Sequence, residues 1–147
     1  MVSKPKSTAS VLYRVADIIR VMATSHDAPP LTAIERVVLD PWLARQLNLY
    51  NAAYSLDDHA NAIRVLYLLW EDRTLRPKNT DDFRHVRHFV SHVRINQPST
   101  VRFIESHLGR GTDHYQPFNQ AHHEFVRGWR QRVEPALEAT LRRQLGL

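Results

Sequence analysis

Apolar residues recur every three to four positions through this chain, and the recurrence breaks only at prolines, glycines and short polar stretches. That period is the 3.6 residues of a helical turn, not the two-residue period of a strand. Val11, Leu12, Val15, Ile18, Ile19 and Met22 form the first stripe, behind a Ser/Thr-rich stretch that can cap it; Pro29-Pro30 stops it. A second helical segment covers 31–54. Pro41 breaks or kinks it, with Asp40 as cap for the piece starting at Trp42. The third takes Ser55 as N-cap, Asp57 and Asp58 in its first turn, and Ile63, Leu66, Tyr67 and Trp70 on one face. The fourth takes Thr80 as cap, Asp81 and Asp82 beside the helix dipole, and Phe83, Val86, Val90 and Val93 as its stripe. It ends at Asn96-Gln97-Pro98. A short fifth helix covers 99–108 and closes at Gly109. Pro117 opens a long last helix with Phe118, His122, Phe125, Trp129 and Val133 on one face, which Pro135 kinks or divides. The expectation is an all-α fold: an antiparallel bundle of about five to six helices, in one domain over 1–147 with 1–8 flexible. Only 4 of 147 residues are Gly, too few for a turn-rich all-β fold or a Gly-rich nucleotide loop.

Composition narrows the chemistry. There is no Cys, so disulfides, thiolate zinc sites and cysteine nucleophiles are excluded. No apolar run approaches the ~20 residues that span a bilayer, and the polar start lacks the apolar segment of a signal peptide. A soluble, cytoplasmic protein is expected, without membrane contact. The net charge is +5, and all of it lies in residues 74–147, which carry 12 basic and 7 acidic groups. Of the 20 basic residues 17 are Arg, whose planar fork suits phosphate. Codon bias in a GC-rich genome gives the same excess, so charge admits nucleic acid as a partner without requiring it.

The segment Arg84-His85-Val86-Arg87-His88-Phe89-Val90-Ser91-His92-Val93-Arg94 holds three Arg, three His and no acid. On a regular helix Val86 and Val90 face the core, while His85, His88 and His92 form a stripe on the other side flanked by Arg84 and Arg87. Three readings compete. The stripe is a solvated basic face; or His88 and His92, spaced i and i+4, ligate a metal with His85, Glu71 or Asp58; or it handles phosphate. The neighbouring Arg residues oppose a cation, and no Glu lies between the two His as in a zinc-protease helix, so no metal is expected. For phosphate the parts are apt. A neutral His takes a proton from a ribose 2′-hydroxyl, a cationic His protonates the leaving 5′-oxygen, and an Arg stabilises the charge between.

The run Arg87-His88-Phe89-Val90-Ser91-His92 resembles the signature of the HEPN superfamily: an Arg, a polar residue, three or more further residues and a His, on a helix late in a small all-α bundle. The likeness spans about residues 55–110. It implies an RNA-binding protein and, as in many members, a metal-independent endoribonuclease of bacterial toxin–antitoxin or antiviral systems. It implies no cofactor, a homodimer that brings two motifs into one cleft, and an antitoxin or other protein partner. On that resemblance Arg87 binds and stabilises the phosphate, His92 is the general acid or base, and His88 orients the phosphate or His92. Arg84, Arg94 and His85 widen the phosphate-binding surface. Residues five apart lie about 140° apart on a regular helix, so a distortion or a two-fold partner has to bring Arg87 and His92 together. Arg102 and His107 have the same spacing, but Phe103 takes the polar place and Glu105 lies between them. The rival expectation is a non-catalytic helical interaction or regulatory module.

Other groups read as structural. Asp57 and Asp58 are dipole partners, and His59 can face the motif helix. His122 is a packed, hydrogen-bonded residue, and Trp42, Trp70 and Trp129 are core or dimer contacts. Arg127, Arg130, Arg132, Arg142 and Arg143, interleaved with Glu134 and Glu138, read as a solvated face with local pairs, or else as an extension of the phosphate-binding surface from the motif.

Overall fold

The computed structural model describes residues 35–38 and 40–147; the helix expected over 11–22, the Pro29-Pro30 stop and the flexible 1–8 lie outside them. Residues 35–38 are helical. They are followed by α1 (Pro41–Tyr54), α2 (His59–Trp70), α3 (Phe83–Ser91), α4 (Pro98–Leu108) and α5 (Gln120–Leu145). Among the described residues there is no strand. The fold is an all-α bundle, as the periodicity requires. No described helix is long and apolar enough to cross a membrane.

α2 is the central element, packed against α1, α3 and α5, while α4 lies on α3. Its Ile63, Leu66 and Leu69 are buried among Leu47 and Tyr50 of α1, Phe83 and Phe89 of α3, and Val133 and Leu137 of α5. The 3.6-residue stripes meet in one core because each helix has a single apolar face.

Caps explain the helix starts, and two differ from the sequence reading. Asp40 caps α1 as expected, its carboxylate accepting from Trp42 N and Leu43 N at 3.1 and 3.2 Å. α2 is capped by Asp58, which accepts from Ala60 N at 2.9 Å; Ser55 instead closes α1, its hydroxyl donating to Asn51 O. Thr80 does not cap α3. Its buried hydroxyl accepts from Trp70 Nε1 at 2.9 Å and donates to Pro77 O, tying the 71–82 loop to α2. α3 ends at Ser91 rather than near Asn96, so Val93 is outside the stripe and 96% exposed.

α5 begins at Gln120 behind the Asn119 cap, not at Pro117, which leaves Phe118 in solvent at 103% relative exposure. It runs unbroken through Pro135. Trp70 and Trp129 are buried as expected, whereas Trp42 is 54% exposed, its indole N–H donating to Asp72.

Two Arg residues tie helix ends to neighbours. Arg64 of α2 donates to Val90 O in the last turn of α3. Arg130 of α5 is only 8% exposed, which corrects its assignment to a solvated face. It donates to Ala53 O (2.9 Å) and Tyr54 O (3.4 Å) at the end of α1, and pairs with Glu134 at 3.0 Å. Both satisfy carbonyls that a helix end leaves without intrahelical partners.

Candidate functional site

The end of α3 carries the sequence-predicted residues. The helix stops where it does because the chain beyond it is recruited elsewhere: Ile95 is buried, and its N–H donates to Asp113 O at 2.7 Å. His92 is the C-cap, in extended conformation, with its N–H still bonded to His88 O. The turn out of the helix swings its ring over that of His88. The two rings stack at 5.1 Å, tilted by 14°, with His88 Nδ1 2.9 Å from His92 Nε2. A hydrogen bond between two ring nitrogens needs one donor and one acceptor.

The remaining predicted residues spread from this pair. Arg87, half-buried, stacks its guanidinium on the Tyr67 ring at 5.0 Å. Arg84 is exposed one turn earlier. His85 turns towards α4, its Nδ1 2.8 Å from Thr100 Oγ1 and its ring 5.0 Å from that of Phe103. Arg94 is held by Asp113 at 2.6 Å, and Asp113 also meets His114 at 2.8 Å. The stretch that is acid-free in sequence therefore gains an acid from the 109–119 loop, and the Arg94 charge is matched. The structure pairs His92 with His88; Arg87 is engaged by Tyr67. Arg102 and His107 are exposed on α4, where His107 Nδ1 bonds Phe103 O at 2.9 Å.

Electrostatics favour neutral imidazoles. Burial, followed by the charges of Arg87 and His92, holds His88 below the ordinary histidine value; burial and Arg84 do the same to His85. Among the described residues no group of three or more His, Asp or Glu side chains is placed to hold a metal ion.

His59, which could have faced the motif helix, faces α5 instead. Its Nδ1 accepts from Arg130 Nη1 at 3.1 Å, and its ring lies 5.2 Å from that of His123. Sequence reasoning missed this cluster, because its partners are separated by 71 residues. His122 is packed and hydrogen-bonded as expected: buried, with Nδ1 accepting from Gln116 N at 3.0 Å.

A pH response follows. His59, His85, His88 and His122 are all lowered from the ordinary value, burial being the first cause in each. The unfolded chain then binds more protons than the folded one as pH falls through the ordinary histidine range. Their contribution is complete above about pH 6.5 and is lost as pH drops towards the folded values. Thermal melts between about pH 7.5 and 5.5 should show Tm falling with acid; a flat Tm across that window contradicts the neutral-imidazole picture.

The chain matches no family model, and no curated protein or solved structure gives a significant match. The site therefore rests on its own geometry.

Proposed function

We propose that this protein binds RNA and cleaves it without a metal, at the His88–His92 pair. The observation that carries the reading is the pair itself: two stacked imidazoles joined at 2.9 Å at the end of a helix that also bears Arg84 and Arg87. The HEPN resemblance of this segment supports it. In the tautomer in which His88 Nδ1 accepts from His92 Nε2–H, His92 Nδ1 is the lone pair that remains.

The reaction then balances on one shuttled proton. The ribose 2′-oxygen gives its proton to His92 Nδ1 and attacks the adjacent phosphorus, the bond from phosphorus to the 5′-oxygen breaks, and the His92 imidazolium returns the proton to that 5′-oxygen. The product ends are a 2′,3′-cyclic phosphate and a 5′-hydroxyl. Arg84 and Arg87 offset the charge gathered on the phosphoryl oxygens. Stacking on Tyr67 uses the face of the Arg87 guanidinium and leaves its N–H edges for phosphate. His85 and Arg94 border the same surface, Arg94 with its charge already shared with Asp113. The resemblance extends the proposal to a homodimer, a cytoplasmic toxin–antitoxin or defence system, and an antidote protein as partner.

The test is cleavage of a labelled, unstructured RNA in excess EDTA. Wild type should leave 2′,3′-cyclic ends, and folded His92→Ala and Arg87→Ala should each lose roughly 10²-fold or more in rate. No cleavage by wild type sinks the catalytic claim for that RNA; cleavage abolished by EDTA replaces it with metal chemistry. The mass of the same samples in solution reads the dimer.

A further inference from the structure

Gly128 occupies the interior of α5, where glycine is disfavoured against every residue but proline. A Cβ at this position would meet nothing within 4 Å, so packing does not call for a glycine. What its missing side chain leaves is a groove of about 350 Å³ between α4 and α5, lined by His107, Glu124, Phe125, Gly128, Trp129 and Arg132.

We propose that this groove holds a guanine base of single-stranded RNA. The inference rests on the RNA reading above for its ligand and adds a base preference to it. Glu124 and Arg132 stand one helical turn to either side of Gly128, roughly 12 Å apart along the axis, with side chains long enough to reach back over the gap. One end of the groove is thus a hydrogen-bond acceptor and the other a donor. Guanine presents N1–H and N2–H to the carboxylate and O6 and N7 to the guanidinium. Adenine and cytosine offer an amino donor beside a ring acceptor, which the carboxylate repels. The half-buried ring of Phe125 supplies an aromatic wall for stacking, and Trp129, buried beneath Arg132, lines the groove behind it.

The side chains keep capacity for this role. Among the described residues Glu124 accepts only from Gln120 at 3.1 Å and Arg127 at 3.5 Å, both exposed contacts, and each carboxylate oxygen has two lone pairs. Arg132 lies over Trp129 at 4.5 Å and donates one N–H group to Asn79 O, out of five in its fork. His107 donates Nδ1–H to Phe103 O and is left with Nε2 as acceptor. The groove also adjoins the α3 site. Phe103 lies 5.0 Å from His85 and 4.5 Å from His107, ring to ring, so an aromatic row leads from the motif helix to the groove.

The experiment titrates the full chain with guanosine 5′-monophosphate and, in parallel, adenosine 5′-monophosphate, followed by calorimetry and by the amide shifts of residues 124–132. Guanosine monophosphate should bind with Kd below about 1 mM, and the adenosine nucleotide roughly tenfold more weakly. Gly128→Leu fills the groove with a better helix former and should weaken guanosine monophosphate roughly tenfold or more while the melting profile stays intact. Glu124→Gln, which removes the charge and keeps the shape, should erase the preference over adenosine. Equal binding of the two nucleotides, or full affinity in Gly128→Leu, overturns the proposal. Neither readout involves cleavage: guanosine binding in a protein that cuts no RNA upholds the groove and removes only the catalytic reading.

Discussion

Arg130→Ala should lower the unfolding free energy by about 3–5 kcal/mol, the range for removing one partner of a buried ion pair. Three losses coincide. Glu134, with its side chain only 16% exposed, is left as an unpaired, largely desolvated carboxylate. Ala53 O and Tyr54 O lose the donor that closes α1. His59 Nδ1 loses the N–H it accepts. Glu134 and His59 Nδ1 are the groups left stranded, since Ala53 O keeps the Leu56 N–H at 3.2 Å and Tyr54 is exposed, so the cost is that of stranded polar atoms as well as of the interaction itself. A loss of this size takes a large share of a typical domain's stability. Urea unfolding of the variant beside Arg127→Ala measures it. Arg127 is exposed and among the described residues pairs only with Glu124 at 3.5 Å, so its removal should stay within about 0.5 kcal/mol. A cost for Arg130→Ala below about 1 kcal/mol would show that the guanidinium is a passenger. Arg130→Lys should recover little, since one ammonium cannot reach two carbonyls, a carboxylate and an imidazole at once. Removing Arg130 also lifts one of the charges that hold His59 below its ordinary value, so that histidine should titrate at higher pH in the variant wherever it stays folded.

The same residue shows where the sequence becomes unreadable. Arg130 sits among alternating Arg and Glu at helical spacing, the pattern of a solvated face, and apart from Glu134 its partners lie more than 70 residues upstream. Spacing reports which residues share a face, and only packing decides which of those faces another helix covers. The apolar stripes were legible because burial is periodic along one helix: Ile63, Leu66 and Trp70 are buried as their spacing requires. Asp40 was legible because a cap is local, followed at once by a helix-compatible proline. Ser55 misled because three cap-competent residues stand within four positions, and the choice of Asp58 depends on where the α1–α2 connection ends. The candidate site divides in the same way. That His85, His88 and His92 are spaced for one stripe is visible in the residues. The pairing of His88 with His92 is not, because it needs α3 to stop at Ser91. No Gly or Pro marks that stop; it is set by Ile95 entering the core and bonding to Asp113, 18 residues further on. The acid that Asp113 brings to Arg94 arrives by the same long-range contact.

Phe89→Ala should cost about 3–5 kcal/mol in unfolding free energy, as expected for deleting a buried aromatic ring whose neighbours cannot close the cavity. Phe89 has no exposed surface and meets Tyr115, His122 and Phe125 edge-on at 5.6, 5.3 and 6.1 Å. Edge-to-face pairs of this kind add to the burial term. Two of the three rings tie Phe89 to the 109–119 loop: Tyr115 belongs to it, and His122 of α5 holds it by accepting from Gln116 N. Losing Phe89 therefore releases the loop as well as opening the core. The loop carries Asp113, which fixes Ile95 and Arg94, and so fixes the exit of α3 on which the His88–His92 contact depends. The variant should show two effects with one origin. Its urea midpoint falls, and in whatever fraction stays folded His88 titrates closer to the ordinary value near 6.5, because the burial that lowers it is relaxed. Phe89→Leu keeps most of the volume and should retain much of the stability, while lacking the flat edges that three rings pack against. Proton NMR titration of the histidines in wild type and Phe89→Leu separates the two effects. A His88 value unchanged in a folded variant that has lost protection of the 109–119 amides would mean that the histidine pair is set by α3 alone, and that the loop does not position the site.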